Sequence, residues 1–133
     1  MDPKAIVWEP ATLLAGRLLL AWIFVHEAIV KLGSYAGAVR YAEAFGVPGW
    51  SIPAAIAVEI GCGLAVAVGL FTRAAALVLA LFCLATAAIF HTKFGDTNQL
   101  LHFEKNLGLA GGFLVLAVRG AGPLSIERLW RGS

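Results

Sequence analysis

The sequence predicts an all-α membrane protein: a bundle of four transmembrane helices with a short interfacial helix between the first and second spans. Composition is the first reason, because 60% of the 133 residues are hydrophobic and 14% are charged, which is too apolar for an ordinary soluble domain. The second is that four apolar segments each approach the roughly 20 residues that a helix needs to cross a bilayer. The third is a set of charged and imidazole side chains within those segments, where a charge costs about 3 kcal/mol or more.

The predicted spans follow one another closely along a single domain that takes in residues 1–133. They cover residues 10–32, 51–71, 74–90 and 101–118. Only Thr72 and Arg73 separate the second span from the third, which predicts a tight antiparallel hairpin. Arg17 interrupts the first apolar stretch and no small-residue cleavage site follows it. We therefore expect the first span to stay in the mature protein rather than to be removed as a signal peptide.

The connection between the first and second spans predicts a helix lying at the membrane surface. Its apolar side chains recur at helical spacing: Tyr35, Val39, Ala42 and Phe45. Arg40 and Glu43 fall on the other side, as in an interfacial amphipathic helix. A cap packed over the bundle and a lid over a pocket both fit this pattern.

Basic residues near the span ends predict the orientation of the bundle. One end carries Lys4, Arg73, Arg119, Arg128 and Arg131, and the other carries Lys31, Arg40, Lys93 and Lys105. Lys31 and Lys105 are expected to form internal pairs, and without them the positive-inside rule places both termini in the cytoplasm. The aromatic belts would then contain Trp8, Phe71 and Trp130 on the inner side, and Trp50, Phe94 and Phe103 on the outer side.

The candidate site is built from polar side chains within or beside the spans. They are Arg17, His26, Glu27, Lys31, Glu59, His91, Glu104, Lys105 and Asn106. Helical geometry places Arg17, Glu27 and Lys31 on one face of the first span, with His26 pointing elsewhere. Glu59 lies roughly 13 Å inward from the outer mouth. We expect Arg17 to extend towards Glu59 and pair with it at mid-membrane, and most of the others to line a polar vestibule at the outer face.

Three interpretations of these residues remain open. Three acids balance three bases, so the network could serve only to fix the register of the helices. Intramembrane ionisable groups are more often functional, which favours a substrate, quinone or proton site. A metal or haem site on His26 and His91 is the third, but no ligand pair at i, i+4 and no cysteine cluster supports it, so we predict no metal.

Other features exclude further classes of site. The net charge of +2 is small and its basic residues are scattered, so nothing indicates nucleic acid binding. Cys62 and Cys83 lie in apolar runs without metal-ligand spacing and are expected to be buried thiols, with a disulfide or redox pair as the alternative. No haem, flavin or iron–sulfur motif is present, so no covalently bound cofactor is expected.

The sequence resembles a known family along nearly its whole length. The matching runs are Phe24-Val25-His26-Glu27 followed by Lys31-Leu32, Glu59-Ile60-Gly61 followed by Gly63, Val68-Gly69-Leu70-Phe71-Thr72-Arg73, His91, and Phe103-Glu104-Lys105-Asn106-Leu107-Gly108-Leu109-Ala110-Gly111-Gly112. Together they look like the DoxX family of small four-helix bacterial inner-membrane proteins. The chain departs from it at His26-Glu27, where many members carry His-Gly; Lys31 at i, i+4 balances the extra acid.

The resemblance implies a membrane-bound role without naming a catalytic residue. The family takes its name from an archaeal complex that oxidises thiosulfate with quinone as acceptor. Other relatives belong to redox or oxidative-stress complexes, and distant eukaryotic relatives act as cargo receptors or assembly factors. The expected partners are therefore the lipid bilayer, a redox partner subunit and further copies of the chain.

Three functions follow, and we rank a redox component first. In it, His91 or His26 would hydrogen-bond a diffusible quinone, Lys105 and Arg17 would stabilise developing negative charge, and Glu59 would relay a proton. Whether such a subunit is itself an enzyme is left open. A scaffold or assembly subunit with structural charges is second. A small-solute or proton transporter is third, with small residues of the second span (Ala57, Gly61, Ala65, Gly69) as an oligomer interface.

Overall fold

Six α-helices make up the described part of the chain. The computed structural model describes residues 3–132, with side chains from residue 8 onward. The helices are α1 (Pro3–Gly33), α2 (Tyr35–Ala44), α3 (Ser51–Val68), α4 (Thr72–Phe90), α5 (Thr97–Arg119) and α6 (Ile126–Arg131). All regular structure in this range is helical, so the all-α prediction is confirmed.

The turn between α3 and α4 is the predicted hairpin, placed slightly earlier than expected. It occupies residues 69–71, with α4 beginning at Thr72. Gly69 ends α3 in the left-handed conformation at φ 75°, and the N–H of Leu70 donates to the carbonyl of Ala65 at 2.8 Å. Glycine reaches this conformation without steric cost, which is why the helix ends here and not after Phe71.

The four long helices run up and down, so the bundle has two distinct ends. The hairpin end holds the start of α1, the α3–α4 turn, the end of α5 and α6; the α2 end holds α2 and the α4–α5 connection. α1 packs along α3, α3 along α4 and α4 along α5, whereas α1 and α5 touch only slightly. The core lies between them, and in it the ring of Phe24 meets Phe82 and Phe113 edge-on.

The outer surface of the bundle is apolar. Within the described residues, three helical segments are long and apolar enough to cross a membrane: Trp8–Gly33, Ser51–Val68 and Thr72–Phe90. α5 has 23 residues but is polar in its first half, so it is long enough to cross a membrane but not apolar enough to be counted with the other three. The count of four spans therefore stays a prediction. Exposed aromatic side chains lie at both ends, Trp8, Phe71 and Trp130 at one and Trp50 and Phe94 at the other.

α2 is the predicted surface helix, and it packs as a cap. Ala42 is buried in a small cluster with Ala28 of α1 and Ile52 of α3. On the adjacent face Tyr41 stacks on Phe90 of α4, with ring centroids 5.6 Å apart. α2 is thereby fixed against three of the long helices, directly above the space between them.

Candidate functional site

A cavity of about 910 Å³ opens at the α2 end of the bundle. Its lower walls are apolar and partly aromatic, from Phe24, Val58, Phe82 and Leu109. Its polar lining comes from all five surrounding helices and the α4–α5 connection: Glu27, Lys31, Ser34, Tyr41, Ser51, Glu59, Thr86, His91, Asp96, Asn98, Gln99, His102, Lys105 and Asn106. An apolar pocket with a few converging polar groups is the usual form of a small-molecule site.

Lys31 and Glu59 form the ion pair at one wall of this cavity. Lys31 Nζ lies 2.8 Å from Glu59 Oε1 and 3.1 Å from Oε2, which joins α1 to α3. Glu59 is only 3% exposed. The Lys31 side chain is 23% exposed and has a second acid nearby, because Glu27 Oε2 lies at 4.0 Å. The cavity therefore contains a carboxylate whose only counter-charge among the described side chains is one lysine.

The predicted pair between Arg17 and Glu59 is wrong. Arg17 is 1% exposed and lies at the hairpin end, where its guanidinium donates to the carbonyls of Ala67 (3.3 Å), Leu124 (2.8 Å) and Ala121. These acceptors lie on the end of α3 and on the α5–α6 connection. Because its Nη1 and Nη2 groups donate to these carbonyls, the guanidinium is held at the hairpin end and does not extend towards mid-membrane.

The imidazole of His91 stands at the mouth of the cavity, just beyond the end of α4. Its Nδ1 lies 3.0 Å from Gln99 Oε1, and its ring stacks on His102 at 5.1 Å. Lys105 Nζ is in turn 3.3 Å from Nδ1 of His102. The hydrogen bond to Gln99 makes Nδ1 of His91 the donor, which leaves Nε2 as an acceptor in the neutral ring.

Asn106 supplies a polar group deeper in the cavity. It is 9% exposed, and its Nδ2 donates to Thr86 Oγ1 at 3.4 Å across the α4–α5 contact. The Thr86 hydroxyl donates to the carbonyl of Cys83, so it is directed by its own helix. Cys83 is buried and Cys62 half-buried, both as free thiols.

Three of the predicted site residues lie outside this cavity. Arg17 is at the opposite end. His26 is exposed on α1, where it stacks on Trp22 at 5.8 Å. Glu104 is exposed on α5 and forms no salt bridge with any side chain described between residues 8 and 132. The cavity thus brings together six of the nine candidates: Glu27, Lys31, Glu59, His91, Lys105 and Asn106.

Sequence reasoning missed Gln99, His102 and Thr86. The fourth span was predicted to begin only at residue 101, whereas α5 begins at Thr97 and His102 lies in its second turn. The missed signal is Asp96, whose carboxylate accepts from the N–H groups of Asn98 (2.9 Å) and Gln99 (3.5 Å) as an N-cap. From that start, residues 99, 102 and 106 share one helical face.

The His26–His91 metal hypothesis has no geometric support. His26 stacks on Trp22 and His91 stacks on His102, so the two imidazoles have different neighbours. In the part of the chain that the structure describes, no three His, Cys, Asp or Glu side chains are grouped to hold a metal ion. What the cavity offers instead is hydrogen-bond donors, cationic groups and one buried acid around an apolar interior.

Comparison with known proteins identifies the family. The DoxX family profile matches residues 12–92, which run from α1 to just past α4. The chain belongs to the DoxX family. The match covers Glu27, Lys31, Glu59 and His91 and ends before α5, so the α5 side of the cavity lies outside it.

Two Escherichia coli K12 proteins are similar to this DoxX-family chain over most of its length. Inner membrane protein YqjF is 44% identical over 121 residues, covering 91% of this chain and 93% of the relative. Inner membrane protein YphA is 32% identical over 127 residues, covering 90% and 91%. No solved structure matches the chain. With its apolar helices, the chain is a DoxX-family inner membrane protein.

Proposed function

We propose that this protein is a membrane component of a quinone-linked redox or oxidative-stress system, and that the cavity at the α2 end binds the quinone head group. The observation that carries the proposal is the cavity itself: about 910 Å³, apolar and aromatic below, with hydrogen-bonding and cationic groups at its mouth. A quinone likewise combines a polar part and an apolar part, because its planar ring with two acceptor oxygens carries a long apolar tail. Such ligands favour pockets with few, well-placed polar groups.

The donors are placed at two levels. Lys105 lies beside His102 near the mouth, and Asn106 lies one residue further along α5. Cationic and amide donors aimed at a carbonyl oxygen stabilise the negative charge that develops on it during reduction. Phe82 and Phe90 also line the cavity and supply aromatic surface for the quinone ring.

Glu59 and His91 are the proton-handling groups of the proposal. Reduction of a quinone to a quinol takes two electrons, here from a redox partner subunit, and two protons. Glu59, paired with Lys31, can hold a proton inside the cavity, and His91 can exchange one with water at the mouth. The slight contact between α1 and α5 gives the apolar tail a route to the bilayer.

Binding of a short-chain benzoquinone to the purified protein tests this. We expect His91→Phe to weaken quinone binding by about tenfold, the value of one good hydrogen bond. His26→Phe is the matched control, because it removes an imidazole that lies outside the cavity. For Lys105→Met, the control is the adjacent Glu104→Gln, because Glu104 lies outside the cavity. Only Lys105→Met should reduce quinone affinity. Calorimetry in detergent measures each dissociation constant.

Two outcomes would overturn the proposal. In one, the wild-type protein binds no quinone; in the other, the variants of each matched pair lose affinity equally. Native mass spectrometry on protein extracted gently from its membrane adds a separate readout, because a co-purifying quinone or redox subunit is expected. A bare chain would favour the second function.

That second function is a scaffold or assembly subunit, favoured by the Lys31–Glu59 pair. The pair joins α1 to α3 and could serve only to fix their register. Deleting the gene should then lower the abundance of another membrane protein without changing quinone chemistry. A transporter is less well supported, because buried Phe24, Leu79 and Phe113 fill the bundle between the cavity and the hairpin end.

We also propose that both termini lie in the cytoplasm. Arg73, Arg119, Arg128 and Arg131 all lie at the hairpin end. Lys4 belongs to the same group in the sequence, but its side chain is outside the described residues. Under the positive-inside rule this end faces the cytoplasm and the cavity opens to the periplasm.

A further inference from the structure

A second cavity, of about 580 Å³, lies at the hairpin end of the bundle, far from the proposed quinone site. It is an open pocket lined by the start of α4, the α5–α6 connection and α6. Four arginines line it, with Glu127 as the only acid among its lining residues: Arg73, Arg119, Arg128 and Arg131. We call this space the arginine cavity.

The two arginines nearest the bundle already have partners. Arg73 donates to carbonyls at the end of α5, including Val118 and, at 3.4 Å, Ala117. Arg119 forms an ion pair with Glu9 of α1. Gly120 between them has φ 82°, and a Cβ there would stand 3.2 Å from the Arg73 guanidinium, so the backbone leaves room for this close approach. These contacts fix the floor of the cavity.

Glu127 is also engaged, and it does not neutralise the remaining arginines. Its Oε2 accepts from the N–H of Thr72 at 3.3 Å, so it occupies the positive end of α4. Its own N–H donates to the carbonyl of Gly69 at 3.0 Å. Thr72 beneath it is 0% exposed, and its Oγ1 has no hydrogen-bond partner among the described residues.

Arg128 and Arg131 are the two arginines left over. They are spaced i, i+3 on α6, so both guanidinium groups face the cavity from one side of the helix. Neither forms a salt bridge among the side chains described from residue 8 to residue 132. Both are exposed, and like charges held close together repel, so an anion bound between them would reduce this repulsion.

We propose that the arginine cavity binds a phosphate group, of the kind carried by anionic phospholipids, through Arg128 and Arg131. Guanidinium groups match phosphate oxygens with paired, charge-assisted hydrogen bonds. Exposed Phe71 lines the site, and exposed Leu129 and Trp130 lie on the same short helix as the two arginines, which is typical of the level of the lipid head groups. Basic pockets between membrane helices are suited to anionic head groups. The proposal does not rest on the quinone hypothesis.

Lipid binding to the full-length protein in neutral detergent tests this. Native mass spectrometry would compare phosphatidylglycerol with phosphatidylcholine, which carries a phosphate but no net charge. We expect the wild-type protein to prefer phosphatidylglycerol. We expect the double variant Arg128→Gln/Arg131→Gln to bind it about thirtyfold more weakly, which is about 2 kcal/mol at a factor of ten per 1.4 kcal/mol.

The matched control removes two cations from the opposite end. Arg40→Gln/Lys93→Gln makes the same change in net charge at two exposed residues outside the arginine cavity, and should leave lipid preference unchanged. An equal loss of phosphatidylglycerol binding in both double variants would overturn the proposal. So would a wild-type protein that neither prefers phosphatidylglycerol nor binds inorganic phosphate. Thermal unfolding of both variants verifies that they are folded.

A second arm separates a lipid phosphate from a free one. Inorganic phosphate is titrated into wild-type protein and followed by ³¹P line broadening. Broadening that Arg128→Gln/Arg131→Gln abolishes, without any lipid preference, identifies a site for the free anion. Competition between phosphate and phosphatidylglycerol identifies one site for both. If neither probe binds in an arginine-dependent manner, the cavity is not a phosphate site.

Discussion

At the scale of single residues, the two members of the Lys31–Glu59 pair are not equivalent. Glu59 is almost completely buried, whereas the Lys31 side chain is 23% exposed and has Glu27 Oε2 at 4.0 Å as a second acid. Removing the lysine therefore leaves an almost fully buried carboxylate without a counter-charge. Removing the acid leaves the lysine with water and Glu27, so the two substitutions should have different costs.

Accordingly, we expect Lys31→Met to destabilise the protein by about 3 kcal/mol or more, as for a buried charge left without its partner. Glu59→Gln should cost about 1 kcal/mol, because it loses a charge-assisted bond without stranding a charge. The double variant Lys31→Met/Glu59→Met should recover most of the stability, since both charges are then gone. Thermal unfolding in one detergent compares all three proteins.

Glu27→Gln is the control for this series, because Glu27 is exposed and its ion pair is long; we expect a change below about 1 kcal/mol. If Lys31→Met and Glu59→Gln destabilise the protein equally, or if the two losses add in the double variant, then Lys31 and Glu59 do not act as a buried, coupled ion pair. The same series bears on function. A stable Glu59→Gln protein that binds quinone but supports no turnover would favour the proton role over a purely structural one.

Residue types and helical periodicity predicted the burial of Arg17 and Glu59, but Lys105, expected to form an internal pair, is exposed beside His102, and the pairing of the buried charges was not predicted. Glu59 was expected to need a partner, and it has one. Arg17 was the wrong choice because the sequence gives no sign that the α5–α6 connection folds back with its carbonyls facing α1. Lys31 lies near the end of its helix, and its four-carbon chain extends inward to Glu59 instead.

At the scale of elements, Arg17 fixes the α5–α6 connection, and through it α6, against the bundle. Its guanidinium donates to carbonyls of Ala121 and Leu124, on the connection that leads into α6. The helix itself has six residues, too few to be stable alone in water. Glu127 attaches α6 directly through its two hydrogen bonds at the hairpin, whereas Ser125 accepts from the N–H of Arg128 as the cap of α6 itself. Arg17 therefore links α1 to the end of the chain.

Arg17→Met should release this link. It leaves the buried carbonyl of Ala121 without this donor, at about 1–3 kcal/mol, and the partly buried carbonyls of Ala67 and Leu124 at less, and α6 should lose its fixed position. Limited trypsin digestion should cut near Arg128 in the variant well before it does so in the wild-type protein. Arg119→Gln is the control, because it removes an exposed ion pair worth about 1 kcal/mol or less. Equal protection of α6 in all three proteins would contradict this assignment.

The sequence predicted some helices more accurately than others, and the difference depends on how clearly the end of each helix is marked. Helical spacing of apolar residues correctly predicted α2, and the short gap between two apolar runs predicted the hairpin. The start of α5 was placed several residues too late because its first turns are polar, and hydropathy cannot distinguish such turns from a loop. The Asp96 cap marks that start, and with it the face that brings Gln99 and His102 to the cavity.

At the scale of the whole molecule, the bundle separates two polar regions by an apolar core. The quinone-site candidates lie at the α2 end and the arginine cavity at the hairpin end, with Phe24, Leu79 and Phe113 between them. Two ends with different chemistry can face two different compartments. This requires α5 to cross the membrane, since otherwise the α4–α5 connection and the end of α5 would lie on the same side.

Thiol labelling tests the span count and the orientation together. In a background of Cys62→Ala and Cys83→Ala, Gly95→Cys places a thiol at the α2 end, where a Cβ meets nothing within 4 Å; Ser133→Cys places one beyond α6. A membrane-impermeant maleimide should label Gly95→Cys in intact cells with a permeable outer membrane, and Ser133→Cys only in inverted vesicles. The reverse pattern would overturn the proposed orientation, because the basic hairpin end would then face the periplasm. Labelling of both thiols from one side would instead show that α5 does not cross, and its polar first half would lie at the membrane surface.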